Sequence, residues 1–98
     1  MEVQFGDDNL DRLETDHAYT GRWSQAIVNV FRRRMQLIRD ALDERDFYAL
    51  KSLHFEKLKG SRQGQLSMRL NDQYRLIIEI ETQSSKKIVR VMSIEDYH

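Results

Sequence analysis

The chain contains no cysteine and no proline, and only four glycines in 98 residues. Without cysteine, neither a disulfide framework nor a thiolate zinc site can hold the fold together, and the expected setting is a reducing cytoplasm. Proline-rich stretches, low-complexity runs and repeats are missing too, so nothing marks an interdomain linker, and residues 1–98 are expected to form one domain. No apolar run approaches the roughly 20 residues of a membrane-spanning helix. The opening MEVQFGDDNL has no basic stretch followed by an apolar one, so the expectation is a protein neither exported nor inserted. An excess of one charge is also lacking. Sixteen Lys and Arg meet sixteen Asp and Glu, whereas dedicated nucleic-acid binders usually carry a basic surplus.

Metal chemistry has little to stand on. His17, His54 and His98 include no pair at i, i+4 or at the short-loop spacing of a zinc motif, and no compact carboxylate cluster of the EF-hand kind is present. No metal or other cofactor is expected. A nucleophile elbow of the G-x-S-x-G type is missing, which sets serine-hydrolase chemistry aside.

What is present is enough for one core. The hydrophobic fraction is 40% and the charged fraction 33%, a balance that favours a folded, well-solvated domain over disorder. Charge is unevenly spread: residues 1–50 hold seven Lys or Arg against ten Asp or Glu, residues 51–98 nine against six, and residues 51–75 six against two. The middle of the chain is therefore its basic region.

Alternation in Glu2 to Phe5 suits a short strand, after which Asp7, Asp8 and Asn9 can cap a brief helix through Leu10 and Leu13. Gly21 breaks the chain and Ser24 is a credible N-cap. Ile27, Val30, Phe31, Arg34, Leu37, Ile38 and Leu42 then recur near helical spacing over about five turns. Phe47, Leu50 and Leu53 imply a further helical turn capped by Asp46. From Gln65 the period becomes two. Leu66, Met68 and Leu70 form one strand, Asn71 and Asp72 a turn, and Tyr74, Leu76, Ile78 and Ile80 the returning strand. A second turn at Gln83 to Lys86 leads into a third strand, Ile88 to Ile94. The order of strand, helices and three-stranded meander defines an α+β fold. Arg69 and Arg75 occupy the polar positions of the hairpin and are expected to share a sheet face. Arg32, Arg33 and Arg34 fall inside the long helix, at least one pointing partly inward; surface solubility or a protein contact is favoured for them over RNA. Trp23 is expected to be a core anchor and His17 structural.

The segment from His54 through Lys57, Leu58-Lys59-Gly60, Ser61, Arg62, Arg69, Asn71, Gln73 and Arg75, together with the ending Asp96-Tyr97-His98, resembles the HigB-type toxins of the RelE superfamily. The resemblance covers nearly the whole chain. It implies a RelE-like fold, an N-terminal strand and helices packed on a curved antiparallel β-sheet, with an active site between the hairpin and the C-terminus. The implied activity is a ribosome-dependent mRNA endoribonuclease, the toxin of a type II toxin–antitoxin pair. Its implied partners are the ribosome, mRNA and a helix-turn-helix antitoxin of the HigA kind, with DNA reached only through the antitoxin. By the family's pattern His54, Lys57, Asp96, Tyr97 and His98 match catalytic positions and Arg75 the hairpin arginine associated with the phosphate. Lys59, Arg62, Arg69 and Asn71 are expected to bind RNA or the ribosome.

Those residue types have coherent work to do. Metal-free RNA cleavage uses the substrate's own 2′-OH as nucleophile, which requires a base, an acid and cations around the phosphate. Two histidines fit both proton roles, since small shifts from a pKa near 6.5 leave one neutral and one protonated; the sequence assigns neither. Asp96 can orient a histidine or act as base, and Tyr97 can stack on a nucleobase or cover the sheet edge. Taken apart from the resemblance, His98 is a terminal tail residue, His54 a packing histidine between Leu53 and Phe55, and Lys57, Lys59 and Arg62 a solvated face. The neutral charge departs from the usually basic family and keeps a second hypothesis in view: a catalytically weak or inert relative acting with its antitoxin in transcriptional autoregulation.

Overall fold

A computed structural model describes residues 1–96. Strand β1 (Glu2–Phe5) is followed by helices α1 (Asp8–Thr15), α2 (Gln25–Asp40) and α3 (Arg45–Ala49). A short edge strand β2 (Glu56–Lys57) precedes the hairpin β3 (Leu66–Arg69) and β4 (Tyr74–Gln83), and β5 (Lys86–Asp96) completes the described chain. Among the described residues these strands form one sheet in the order β1-β5-β4-β3-β2.

Two of the three expected helix caps form. The Asp7 carboxylate accepts from the amide of Asn9 and the Ser24 hydroxyl from that of Ile27, satisfying donors that the first turn leaves without helical partners. Helix α2 buries Ile27, Val28, Phe31, Met35 and Ile38. It stops at Asp40 because Ala41 turns extended, so Leu42 stands 88% exposed instead of continuing the apolar stripe. Asp46 is not the cap of α3 either. Glu44 holds that position without a side-chain bond, and the Asp46 carboxylate accepts from the Leu42 amide at 2.8 Å. Leu50 is exposed as well.

The sheet departs from the expected all-antiparallel meander at both edges. β1 lies parallel to β5, with Val3 beside Val89 and Phe5 beside Val91, and the two-residue β2 pairs antiparallel with β3. One face of the sheet packs on the helices: Met68, Leu76, Ile78, Val89, Val91 and Ile94 join Phe31, Met35, Ile38 and Phe47 in a common core. The opposite face carries Ser67, Arg69, Arg75, Ile77, Ser93 and Glu95. A β-bulge decides part of that face. Ile77 pairs with Ser93 while Ile78 pairs with Val91, so Met92 is the extra residue and side chains beyond it change sides. Ile94 thereby enters the core, and Ser93 and Glu95 turn to the open face.

Arginines tie the layers together. Arg32 donates to the carbonyls of Leu13, Asp16 and Tyr19 at 3.0–3.2 Å, closing the C-terminal end of α1, and Arg34 donates to the Arg69 carbonyl at 3.1 Å. Both serve architecture, and Arg33 alone of the trio is exposed. Trp23, expected as a core anchor, is half-buried at the margin of the core and packs edge-on against Tyr74, ring centroids 5.3 Å apart. His17 lies exposed in the turn after α1.

Candidate active site

The β3–β4 turn and the segment entering β2 approach one another on the open face. Between them lies a pocket of about 320 Å³ lined by His54, Glu56, Arg69, Asn71, Asp72 and Arg75. Strand register builds its floor: Arg69 stands directly across from Arg75, and Arg75 across from Glu95. Burying a guanidinium is costly without hydrogen-bonded compensation, and Arg75 is only 7% exposed. Its Nη2 donates to the His54 carbonyl at 2.6 Å and lies 3.5 Å from the Glu56 carboxylate.

His54 has a left-handed backbone, φ 45° and ψ 48°, a conformation that costs a non-glycine residue on the order of 1–3 kcal/mol. Its neighbours hold it there. Leu53 and Phe55 are both buried, and the Phe55 ring packs edge-on against Phe47 and Tyr48 at 5.3 and 4.8 Å. With both flanking side chains turned inward, the 54 carbonyl points to Arg75 and residue 54 itself remains exposed at the pocket's mouth.

A second cation spans the same face. From the turn Gly60–Arg62, the Arg62 guanidinium grips Glu95 through two bonds of 2.5 and 2.6 Å, while its Nε donates to Gln65. The Ser93 hydroxyl also donates to Glu95 at 2.7 Å. Arg62, and then Ser93, hold the Glu95 carboxyl below its ordinary value despite partial burial, and Glu95 in turn raises Arg62. Arg69 forms the third pair of the face, with Asp72. Each of these three guanidiniums thus meets a carboxylate. The sequence reading missed Glu56 and Glu95; Glu95 reaches the face only because of the bulge, which no local pattern announces.

The other expected site residues are distributed differently. Glu56 and Lys57 are neighbours on a strand and point to opposite sides. Glu56 joins the pocket, whereas Lys57 lines a separate groove of about 820 Å³ together with Lys59. Asp96 pairs with Tyr74, one residue along β4 from Arg75, and its carboxylate accepts from the Gln73 side chain at 3.1 Å. Tyr97 and His98 lie outside the described residues. The pocket therefore brings together His54, Arg69, Asn71 and Arg75, places Arg62 beyond its rim, and leaves Lys57 and Lys59 on the other side of the edge strand.

This arrangement of helices, sheet and hairpin is the fold of RelE-like toxins. It resembles the YoeB/ParE toxin from Agrobacterium tumefaciens (TM-score 0.60, 19% identity, 100% of both chains) and YafQ from E. coli strain BL21(DE3) (TM-score 0.61, 13% identity, 97% of this chain and 91% of that one). A chain of the YoeB-YefM complex from Staphylococcus aureus is similar too, with a TM-score of 0.60 at 16% identity over 100% of this chain and 97% of that one. No curated protein matches by sequence. Residues 3–98 match the family described as the RelE-like toxin of the type II toxin-antitoxin system HigB, and the chain belongs to that HigB-like toxin family.

Proposed function

We propose that this toxin is a ribosome-dependent endoribonuclease that cleaves mRNA in the A site without a metal, and that a helix-turn-helix antitoxin of the HigA kind restrains it in the cytoplasm. The observation that carries this reading is the direct contact between Arg75 and His54 in a pocket shared with Arg69. A cation and an imidazole-bearing segment are held together there by strand register and a strained backbone.

In the proposed reaction the substrate's 2′-oxygen attacks the adjacent phosphorus, forming a 2′,3′-cyclic phosphate as the P–O5′ bond breaks. A base removes the 2′-OH proton and an acid supplies one to the departing 5′-oxygen. Arg75 and Arg69 stabilise the charge on the phosphoryl oxygens. His54 takes one proton role and His98 the other, with Asp96, which shares the Tyr74 face rather than that of Arg75, orienting the tail histidine and Tyr97 stacking on a base. Lys57 faces the groove, so its part is to hold the RNA backbone as it rounds the edge strand, alongside Lys59. Arg62 and Asn71 complete the RNA- or ribosome-binding set.

One observation favours the second reading, an inert binding module acting in autoregulation: the basic residues of the face are already matched by Glu56, Asp72 and Glu95. Brief induction of the chain alone separates the two. The enzyme reading expects growth arrest, new mRNA 5′ ends within translated codons, and loss of both in His54→Asn. Continued growth with intact mRNA would support the inert module.

A further inference from the structure

We infer that the groove behind the edge strand is a docking site for the antitoxin, and that it receives an acidic, amphipathic segment of that protein. The inference rests on the reading that an antitoxin is the partner and adds where and by what chemistry it binds.

The groove lies on the side of β2 away from the His54–Arg75 pocket. Its volume is about 820 Å³, within the range of sites that bury a substantial ligand. Tyr48, Phe55, Leu58, Leu66 and Ile80 supply an apolar floor, and Tyr48 remains 50% exposed. Among the described residues the exposed large hydrophobic side chains are Leu42, Tyr48 and Leu50, all within nine positions of one another. Of these only Tyr48 lines the groove; Leu50 and Leu42 border separate depressions.

Charge identifies the occupant. Lys57, Lys59 and Lys87 line the groove, with Glu44 as its acidic member. Glu44 is taken up by Lys87 at 2.6 and 2.7 Å, and Lys57 and Lys59 form no ion pair among the described residues. The open face is the reverse case, for there Arg62, Arg69 and Arg75 each have a carboxylate within the chain. An apolar floor flanked by uncompensated ammonium groups fits a segment with aliphatic residues on one side and Asp or Glu on its borders. RNA passing over Lys57 and Lys59 at the rim would leave the apolar floor unfilled, so the occupant of the floor is a protein, and it competes with RNA for the same ammonium groups.

The test uses the full chain and its purified antitoxin. Amide hydrogen exchange should show residues 55–59 and 64–66 protected in the complex, and the doubly substituted Thr82→Glu, Lys87→Gln toxin, altered at two exposed groove positions, should bind at least tenfold more weakly while remaining toxic and escaping neutralisation. Because the exchange measurement is made on the unsubstituted protein, it decides the matter even where the variant folds poorly. An unprotected groove, or a folded variant that binds with undiminished affinity, would overturn the inference while leaving the antitoxin reading intact. Failure of the unsubstituted chain to form any complex would overturn both. Protection of these amides by ribosomes but not by the antitoxin would assign the groove to RNA and overturn it as well.

Discussion

Arg62 and Glu95 close a two-bond ion pair over the open face of the sheet, joining the loop before β3 to the end of β5. With Arg69–Asp72 and Arg75–Glu56, it makes the candidate RNA surface self-neutralising. An incoming phosphate must displace carboxylates before it meets arginine, which reconciles a net charge of zero with an anion-binding task.

Removing one carboxylate should therefore strengthen RNA binding. Glu95→Gln is expected to tighten a non-cleavable, 2′-O-methylated oligonucleotide several-fold at low salt. Counterion release predicts that the slope of log K against log salt steepens by about 0.7, the single-strand value for one added phosphate contact. Fluorescence anisotropy across a salt series checks this; an unchanged slope would mean that Arg62 never reaches RNA.

The same pair sets a pH dependence. Glu95 is held below its ordinary 4.5 by Arg62, so the folded state binds its proton less readily than the unfolded chain does. The stabilisation is complete above that ordinary value and is lost as pH falls below it, through the depressed folded value. Thermal melts between pH 3 and 7 should show a shallower acid decline in Glu95→Gln than in the parent. The difference will be modest, because both partners are partly exposed.

Arg75 couples chemistry to structure. Arg75→Lys keeps a charge but lacks the planar fork that reaches the His54 carbonyl and Glu56 together. It is expected to lose about 1–3 kcal/mol of stability, the cost of leaving a buried polar group unsatisfied, and most of its cleavage. At roughly 4–8 °C per kcal/mol for a domain of this size, calorimetry will resolve the stability loss.

His54 needs a substitution that respects its backbone. Alanine at φ 45° would confound loss of the imidazole with strain, whereas asparagine tolerates the left-handed region. His54→Asn should melt close to the parent and cleave about 10²- to 10⁴-fold more slowly, the usual worth of one general acid or base. Single-turnover cleavage on programmed ribosomes reads the rate, and full activity would place the imidazole outside the chemistry.

Much of this architecture was legible in the sequence because strong local signals agreed. Ser24 before a 3.6-residue period, and Asn71-Asp72 between two alternating runs, each specify one outcome. The losses have physical causes. Leu42 keeps the helical spacing, but periodicity does not register that Ala41 has already left the helix. β2 has only two residues, too few for alternation to show, yet its pleat is what sends Glu56 and Lys57 to opposite sides. The Met92 bulge inverts the pleat, so Glu95, which uninterrupted alternation from Val91 would send to the core, becomes the anchor of Arg62. His54 and Arg75 were recognisable as residues from the resemblance, but their contact depends on the left-handed turn at His54, which nothing in Leu53-His54-Phe55 encodes beyond its two inward-facing neighbours.

The chemistry of the cut ends tests the central claim most directly. Ribosome-bound mRNA cleaved by this toxin should carry a 2′,3′-cyclic phosphate on one fragment and a 5′-hydroxyl on the other, and a single 2′-deoxy substitution at the scissile nucleotide should abolish the cut. Fragments ending in 3′-hydroxyl and 5′-phosphate, or undiminished cleavage of the deoxy-substituted message, would contradict attack by the substrate's own 2′-oxygen.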